Sequence, residues 1–229
     1  MAKFPLDSNP QTFEKFTAEG VAKRHRGSTF VAHVVPDSPT YEVEKRIQDD
    51  VRSRGLAEHF GLLPPSSYHM TVFPGLKDRA IQGESGKWPG WLSGVMDLPT
   101  AVSMMRQRLT EADIAPVPDL RMRPTHVYDL GVSLTVGLEP VDDQMANELH
   151  LFRSTLRDVL EISDPGFDTY LFHSSLGYRL SAPELTSDLN AELAELYTEW
   201  VREIEVFDLE RPAFNIFNDM LAFPEVLPL

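Results

Sequence analysis

Tyr68-His69-Met70-Thr71-Val72 and Phe172-His173-Ser174-Ser175-Leu176 carry the same pattern, His-x-Ser/Thr-apolar, and the reading of this pair decides the fold. In a β-strand successive side chains alternate between faces, so His69 shares a face with Thr71 while Met70 and Val72 take the other. The same parity joins His173 to Ser175. Two such strands facing one another present two imidazoles and two hydroxyls to one cleft, a set of groups suited to a phosphate. If the second strand continues through Gly177, Arg179 points into that cleft too, as a phosphate contact beside Thr71 and Ser175.

The pattern is short. Seven histidines in a chain with 29 Ser and Thr among 229 residues give about one accidental match, so the surroundings have to decide. They contain a repeat at an offset of 104, matching Phe30 with Leu134, Pro36 with Pro140, His69 with His173 and Thr71 with Ser175. Each copy runs apolar strand, proline, amphipathic helix, histidine strand.

Outward from the first motif, Ser28–Val35 is β-branched and aromatic and stops at Pro36, which reads as a strand. His33 in its middle is either a core histidine with a hydrogen-bond partner or a residue of the substrate site. Ser38 and Pro39 open a helix as cap and first-turn proline. Its buried stripe is Val43, Ile47, Val51, Leu56 and Phe60, and Gly61 ends it. The histidine strand runs to Phe73 and breaks at Pro74-Gly75. Residues 77–98 read as a long loop with Gly83, Gly86, Gly90 and Gly94, in which Trp88 and Trp91 either stack on a substrate base or pin the loop to the core. Asp97 and Pro99 start a helix with Val102, Met105 and Leu109 on its apolar face. Pro116, Pro118 and Pro124 then mark a connection carrying Arg121 and Arg123.

The second copy begins with a strand over Leu130–Leu138. Pro140 and Asp142 precede a helix with the stripe Met145, Leu149, Phe152, Leu156 and Val159, stopped by Asp164-Pro165-Gly166. Ser181-Ala182-Pro183-Glu184 is a capping box for a last helix buried along Leu185, Leu189, Leu193, Leu196 and Trp200. Glu203–Leu209 and Ala213–Phe223 alternate as strands. Residues 1–27, ending in the basic Lys23-Arg24-His25-Arg26, read as an N-terminal extension packed on the surface of a single domain over 28–229.

Composition narrows the function. A net charge of −14 repels a long polyanion, so duplex nucleic acid is not an expected partner, whereas a small phosphorylated ligand or one RNA end is. No apolar run approaches membrane-spanning length, and Met1–Asp7 lacks the apolar core of a secretory signal, so a cytoplasmic protein off the membrane is expected. With no cysteine, disulfides, thiolate metal sites and cysteine nucleophiles drop out. The histidines form no close His-x-His or His-x-x-x-His pair, and hydroxyls two residues on are poor zinc ligands, so no metal is expected.

HMTV at 69–72 and HSSL at 173–176 resemble the paired motifs of the two-histidine (2H) phosphoesterase superfamily, the LigT-like fold of RNA ligases and cyclic phosphodiesterases. The second motif departs from that pattern at Ser174, where an apolar residue is usual. LLPPSSYHMTVFPGL at 62–76 also looks like an uncharacterised bacterial and fungal branch of the superfamily, and the likeness extends over roughly residues 28–223. It implies an α+β, bilobal fold: two antiparallel sheets with outer helices, related by a pseudo-twofold duplication, around a central cleft. It further implies metal-independent hydrolysis, without a cofactor, of a 2′,3′-cyclic phosphate or related nucleotide or RNA-end phosphodiester by a monomer.

The residue types suit that chemistry. Transfer at phosphorus needs one proton removed and another delivered, and two imidazoles can hold opposite protonation states near neutrality. Hydroxyls at 71 and 175 can donate to the non-bridging oxygens as charge builds. The resemblance assigns His69 as acid and His173 as base. The same residues also serve a non-catalytic module that captures a phosphorylated small molecule or RNA end, and the sequence leaves that alternative open.

Overall fold

The structure, a computed structural model, describes residues 10–82, 88–163, 166–180 and 187–229. In chain order it contains a short helix Pro10–Lys15 (α1), strand Gly27–His33 (β1), helix Pro39–Ser53 (α2), strand Phe60–Leu62 (β2) and the first histidine strand, His69–Lys77 (β3). One turn of helix, Arg79–Gln82 (α3), and helix Leu98–Glu111 (α4) follow. The second half holds strands Met122–Val127 (β4) and Ser133–Pro140 (β5), helix Asp143–Leu160 (α5) and the second histidine strand, His173–Arg179 (β6). Helix Ser187–Val201 (α6) and strands Ala213–Phe217 (β7) and Glu225–Pro228 (β8) complete it. No helix among the described residues is long and apolar enough to cross a membrane.

The helix caps are local. Ser38 accepts from the Tyr41 amide with Pro39 in the first turn, Asp97 accepts from Thr100, and Asp142 accepts from Met145, so each orphan donor of a first turn finds a side-chain oxygen. Ile47 and Val51 of α2, and Met145, Leu149, Phe152 and Leu156 of α5, are buried as their spacing predicts. In α5 it is Leu160, not Val159, that completes the buried stripe. In α6 the core face is Leu193, Ala194, Tyr197 and Val201, with Leu189, Leu196 and Trp200 packed on its flanks.

Helix α2 ends eight residues before the expected Gly61. Gly55 adopts φ +71° just past Ser53, the left-handed step that terminates a helix at low cost only in glycine. Phe60 and Gly61 therefore belong to β2, which pairs with β6. Gly61 serves a different purpose there: a Cβ would lie 2.7 Å from the ring of Phe16, a side chain buried in a small second core with Val31, Leu63, Leu180, Phe217, Met220 and Phe223. Gly61→Ala is expected to cost about 1–3 kcal/mol, read as a lowered melting temperature. An unchanged melt would show that Phe16 yields freely.

Among the described residues, eight strands form one antiparallel sheet in the order β4-β5-β6-β3-β1-β7-β8, with β2 also on β6. Two sheets were the expectation. The halves are instead joined where β3 meets β6 at the pair Met70↔Ser174. Both residues are fully buried, and an unpaired strand edge at that depth would leave amides and carbonyls without partners.

The two halves share one register. Phe30↔Phe73, Val31↔Thr71, Ala32↔Met70 and His33↔His69 link β1 to β3, while Leu134↔Gly177, Thr135↔Ser175, Val136↔Ser174 and Gly137↔His173 link β5 to β6. These pairs coincide at the offset of 104. So does a bulge in each histidine strand, which inserts Val72 in β3 and Leu176 in β6.

Other expectations change in detail. Met122–Val127 is a strand, although Pro124 lies within it; among the described residues β5 is the one strand in the sheet beside β4, and an edge strand tolerates a missing amide. The histidine strand does not break at Pro74-Gly75 but runs to Lys77. Between 203 and 209 only isolated bridges form, Phe207 to Met122 and Leu209 to Val34. Gly83, Gly86, Asp164, Pro165, the capping box 181–184 and Leu185 lie outside the described residues.

Candidate active site

The central pair Met70↔Ser174 sets the cleft. In antiparallel pairing it puts His69 across from Ser175 and Thr71 across from His173, so each imidazole has the other strand's hydroxyl as its neighbour. The opposite face of the same strands, Met70, Val72, Ser174 and Leu176, is fully buried. Helix side chains hold the two bulges. The Arg153 Nε of α5 donates to the Val72 carbonyl at 3.0 Å, and the Gln48 amide of α2 donates to the Leu176 and Leu63 carbonyls, both at 2.7 Å. An inserted residue drops out of the ladder, and these donors bond its carbonyl, at Leu176 together with the Leu63 amide.

Both rings are held alike. His69 Nδ1 lies 2.6 Å from the Ser67 carbonyl, and His173 Nδ1 lies 2.7 Å from the Leu171 carbonyl. A carbonyl only accepts, so each Nδ1 carries the proton and each Nε2 of a neutral ring is free to accept one. Burial is the largest cause lowering the His69 pKa, to about 4; His33, His173 and Lys15 add to it, and the Ser67 carbonyl opposes it. His173 is lowered for the same leading reason, with Lys15 adding and the Leu171 carbonyl opposing. Both imidazoles are thus neutral at pH 7 before an anion arrives.

The cleft, about 300 Å³, is lined by His69, Thr71, His173 and Ser175 together with Lys15, Lys77, His25 and Tyr178, and walled by Phe217, Met220 and Phe223. Lys15 donates to the Tyr178 hydroxyl at 3.3 Å. Burial, then Lys15 and Lys77, lower the His25 pKa. Of these, Lys15, Lys77 and Tyr178 carry no signal in the sequence, and His25 shows there only as part of the basic cluster 23–26. Lys15 lies in the segment read as a surface extension, and Lys77 lies beyond the expected strand break. His25 has no hydroxyl partner to mark it, and Tyr178 has the wrong parity for a regular strand.

That parity corrects Arg179. The bulge at Leu176 reverses the alternation, so Tyr178 takes the cleft position, while Arg179 is buried on the other face with its guanidinium 5.2 Å from the Phe60 ring. Trp88 and Trp91 are not in the cleft lining either: their indole N–H groups donate at 2.8 Å to the Lys77 and Leu160 carbonyls, since a half-buried indole N–H needs a fixed acceptor. His33 pairs beside His69, at 6.1 Å between rings, and its Nε2 lies 3.1 Å from the Phe223 carbonyl. Arg121 and Arg123 form exposed ion pairs with Asp142 and Glu139. Among the described residues, no three His, Asp or Glu side chains converge as a metal site.

Comparison with known proteins gives a family match. The 2H-phosphodiest family model, described as a domain of unknown function (DUF1868), matches residues 15–133, just over half of the chain. No curated protein matches. The crystal structure of the conserved protein of unknown function ATU0111 from Agrobacterium tumefaciens is similar at 27% identity and a TM-score of 0.82, over 93% of this chain and 90% of that one. Usb1 of Kluyveromyces marxianus aligns at 13% identity and a TM-score of 0.37, over 90% of this chain and 99% of that one. On the family match, this chain belongs to the 2H phosphodiesterase family, within the 2H phosphoesterase superfamily.

Proposed function

We propose that this protein is a metal-independent phosphodiesterase acting on a 2′,3′-cyclic phosphate or a related nucleotide or RNA-end phosphodiester. The observation that carries the reading is the matched pair of imidazoles, each fixed through Nδ1 to a carbonyl two residues earlier and each beside the other strand's hydroxyl. We read the two halves, with their common register, as copies of one unit, forming one bilobal domain over 28–229 whose cleft Lys15 completes.

In this reading His173 takes the proton of the attacking water through Nε2, and His69 delivers one to the departing ribose oxygen. Each turnover leaves His173 protonated and His69 neutral, and exchange with solvent restores the pair. Thr71 and Ser175 donate to the non-bridging oxygens, where charge grows, and Lys15 and Lys77 balance the phosphate.

The test is hydrolysis of 2′,3′-cyclic nucleotides and short cyclic-phosphate-ended oligoribonucleotides in the presence of EDTA. Turnover is expected to persist, and Thr71→Ala and Ser175→Ala are expected to lower kcat on the order of 10²-fold each with smaller changes in KM. Activity that EDTA abolishes, or that both hydroxyl variants retain in full, would overturn the proposal. Binding of these ligands without any turnover would assign the cleft to a capture module.

A further inference from the structure

Gly137 is the repeat counterpart of His33, for Gly137 pairs with His173 as His33 pairs with His69. The two ends of the cleft differ in consequence. Beside His69 the space is filled, with the Phe223 ring at 4.1 Å and the His33 ring at 6.1 Å. Beside His173, where glycine has no side chain, a groove of about 710 Å³ runs outward along β4 and β5. A Cβ on Gly137 would lie 3.0 Å from the His126 ring and 3.1 Å from the Tyr128 ring, so the bare glycine is what lets these rings settle against the sheet.

Aromatic rings line this groove outward from His173. Tyr128 lies 6.4 Å from the His173 ring, and Tyr170 lies 6.2 Å from it, inclined by 28°. His126 stacks on Tyr128 at 5.1 Å. Tyr170 lines both the groove and the cleft, so the two adjoin at its ring. Charge distinguishes them. Lys15 and Lys77 line the cleft, whereas the charged residues lining the groove are Asp129 and Glu139. With no lysine or arginine among the described residues of its lining, and Glu139 paired with Arg123, such a groove suits an uncharged ring better than a second phosphate. At its mouth Leu171 and Val132 are exposed, adding apolar surface beside the rings.

Resting on the phosphodiesterase reading above, we infer that this groove binds the nucleobase of the substrate, stacked against Tyr128 and Tyr170, while the phosphate lies between the histidines. The substrate is then a nucleotide or RNA end rather than a base-free phosphodiester. Stacking tolerates any base, because every base has a π-face, so the preference is for a base over none rather than for one base over another.

The experiment is calorimetric titration of the intact protein with inorganic phosphate, ribose 5-phosphate, 3′-AMP and 3′-CMP. Both nucleotides are expected to bind roughly 10-fold or more tighter than the base-free sugar phosphate. Tyr128→Ala should erase that margin while leaving phosphate affinity unchanged, and Tyr128→Phe, which keeps the ring, should preserve it. Phosphate and ribose phosphate binding as tightly as the nucleotides would overturn this inference alone and leave the phosphodiesterase reading standing. No binding of any of the four would overturn both. Unchanged nucleotide affinity in Tyr128→Ala, with self-association lost in Leu171→Asp, would assign the groove to a second copy of the chain and overturn the inference.

Discussion

His69→Ala and His173→Ala are each expected to lower turnover by about 10²- to 10⁴-fold, and the double variant is expected to be little worse than either. One ring removes a proton and the other supplies one, so the loss of either leaves the step without half of its proton transfer. Groups that act as a unit are not additive. The pH profiles carry the sharper signature. The active form has one imidazole neutral and one protonated, so kcat/KM peaks between the two free-protein pKa values. Both are depressed by burial, His69 to about 4, which places that optimum below the ordinary histidine value of 6.5. A bound phosphate anion favours the protonated rings, so the kcat optimum moves upward from it. Coincident optima for kcat and kcat/KM, or a rate still rising at high pH in both, would remove the two-histidine mechanism.

The same depression has a stability consequence. A histidine whose folded pKa lies below its unfolded one takes up its proton preferentially in the unfolded chain. The stability it supports is complete above 6.5 and declines as pH falls toward 4. For His69 this amounts to on the order of 3 kcal/mol, and urea melts of His69→Ala should show a shallower loss over that window than the wild type.

Glu44→Gln is expected to stabilise the protein in alkali, with the largest effect on folding of any change considered. The Glu44 carboxyl is fully buried on α2, and burial raises its pKa from 4.5 to about 8; the Ser174 hydroxyl, within reach but short of a well-formed hydrogen bond, acts weakly the other way. Here the folded state holds the proton more tightly than the unfolded one. The associated stability is complete below 4.5 and is lost as pH rises through 8, a penalty on the order of 5 kcal/mol above that point. Glutamine keeps the shape and cannot ionise. The variant and wild type should melt alike at pH 5 and diverge at pH 9, with the variant the more stable; parallel curves across that range would show that the carboxyl is solvated.

Glu44 also accounts for Ser174, the one residue that departs from the family's apolar pattern. Ser174 sits between His173 and Ser175 with its side chain in the core. The acid on α2 gives that hydroxyl a polar neighbour where an aliphatic side chain would otherwise be needed. No reading of β6 alone reveals this, because the partner lies 130 residues earlier in the chain.

Much of the site is nevertheless legible in the sequence. Alternation over five residues is a local property of an extended backbone, so the pairing of His69 with Thr71 and His173 with Ser175 on one face holds before any tertiary contact is known. The repeat at 104 likewise carries through to the pairing registers. Helix starts are legible at Ser38, Asp97 and Asp142, where a cap side chain bonds an amide three residues on. The end of α2 is not, because Gly55 and Gly61 are equally plausible stops and only the packing of Phe16 against Gly61 separates them.

By itself the sequence determined the two histidine strands, the face each presents, the offset of 104 that relates strand, helix and strand around them, and a net charge of −14. Tertiary structure alone decided the rest of the cleft. A bulge takes its residue out of the ladder, and Gln48 and Arg153 donate to the displaced carbonyls, Gln48 beside the Leu63 amide. The bulge in β6 reverses the parity that would have sent Arg179 inward and brings in Tyr178. Lys15 arrives from a segment more than 50 residues away from either histidine. Local alternation propagates only as far as the backbone stays regular, and beyond that point long-range hydrogen bonds choose which side chains share the cleft.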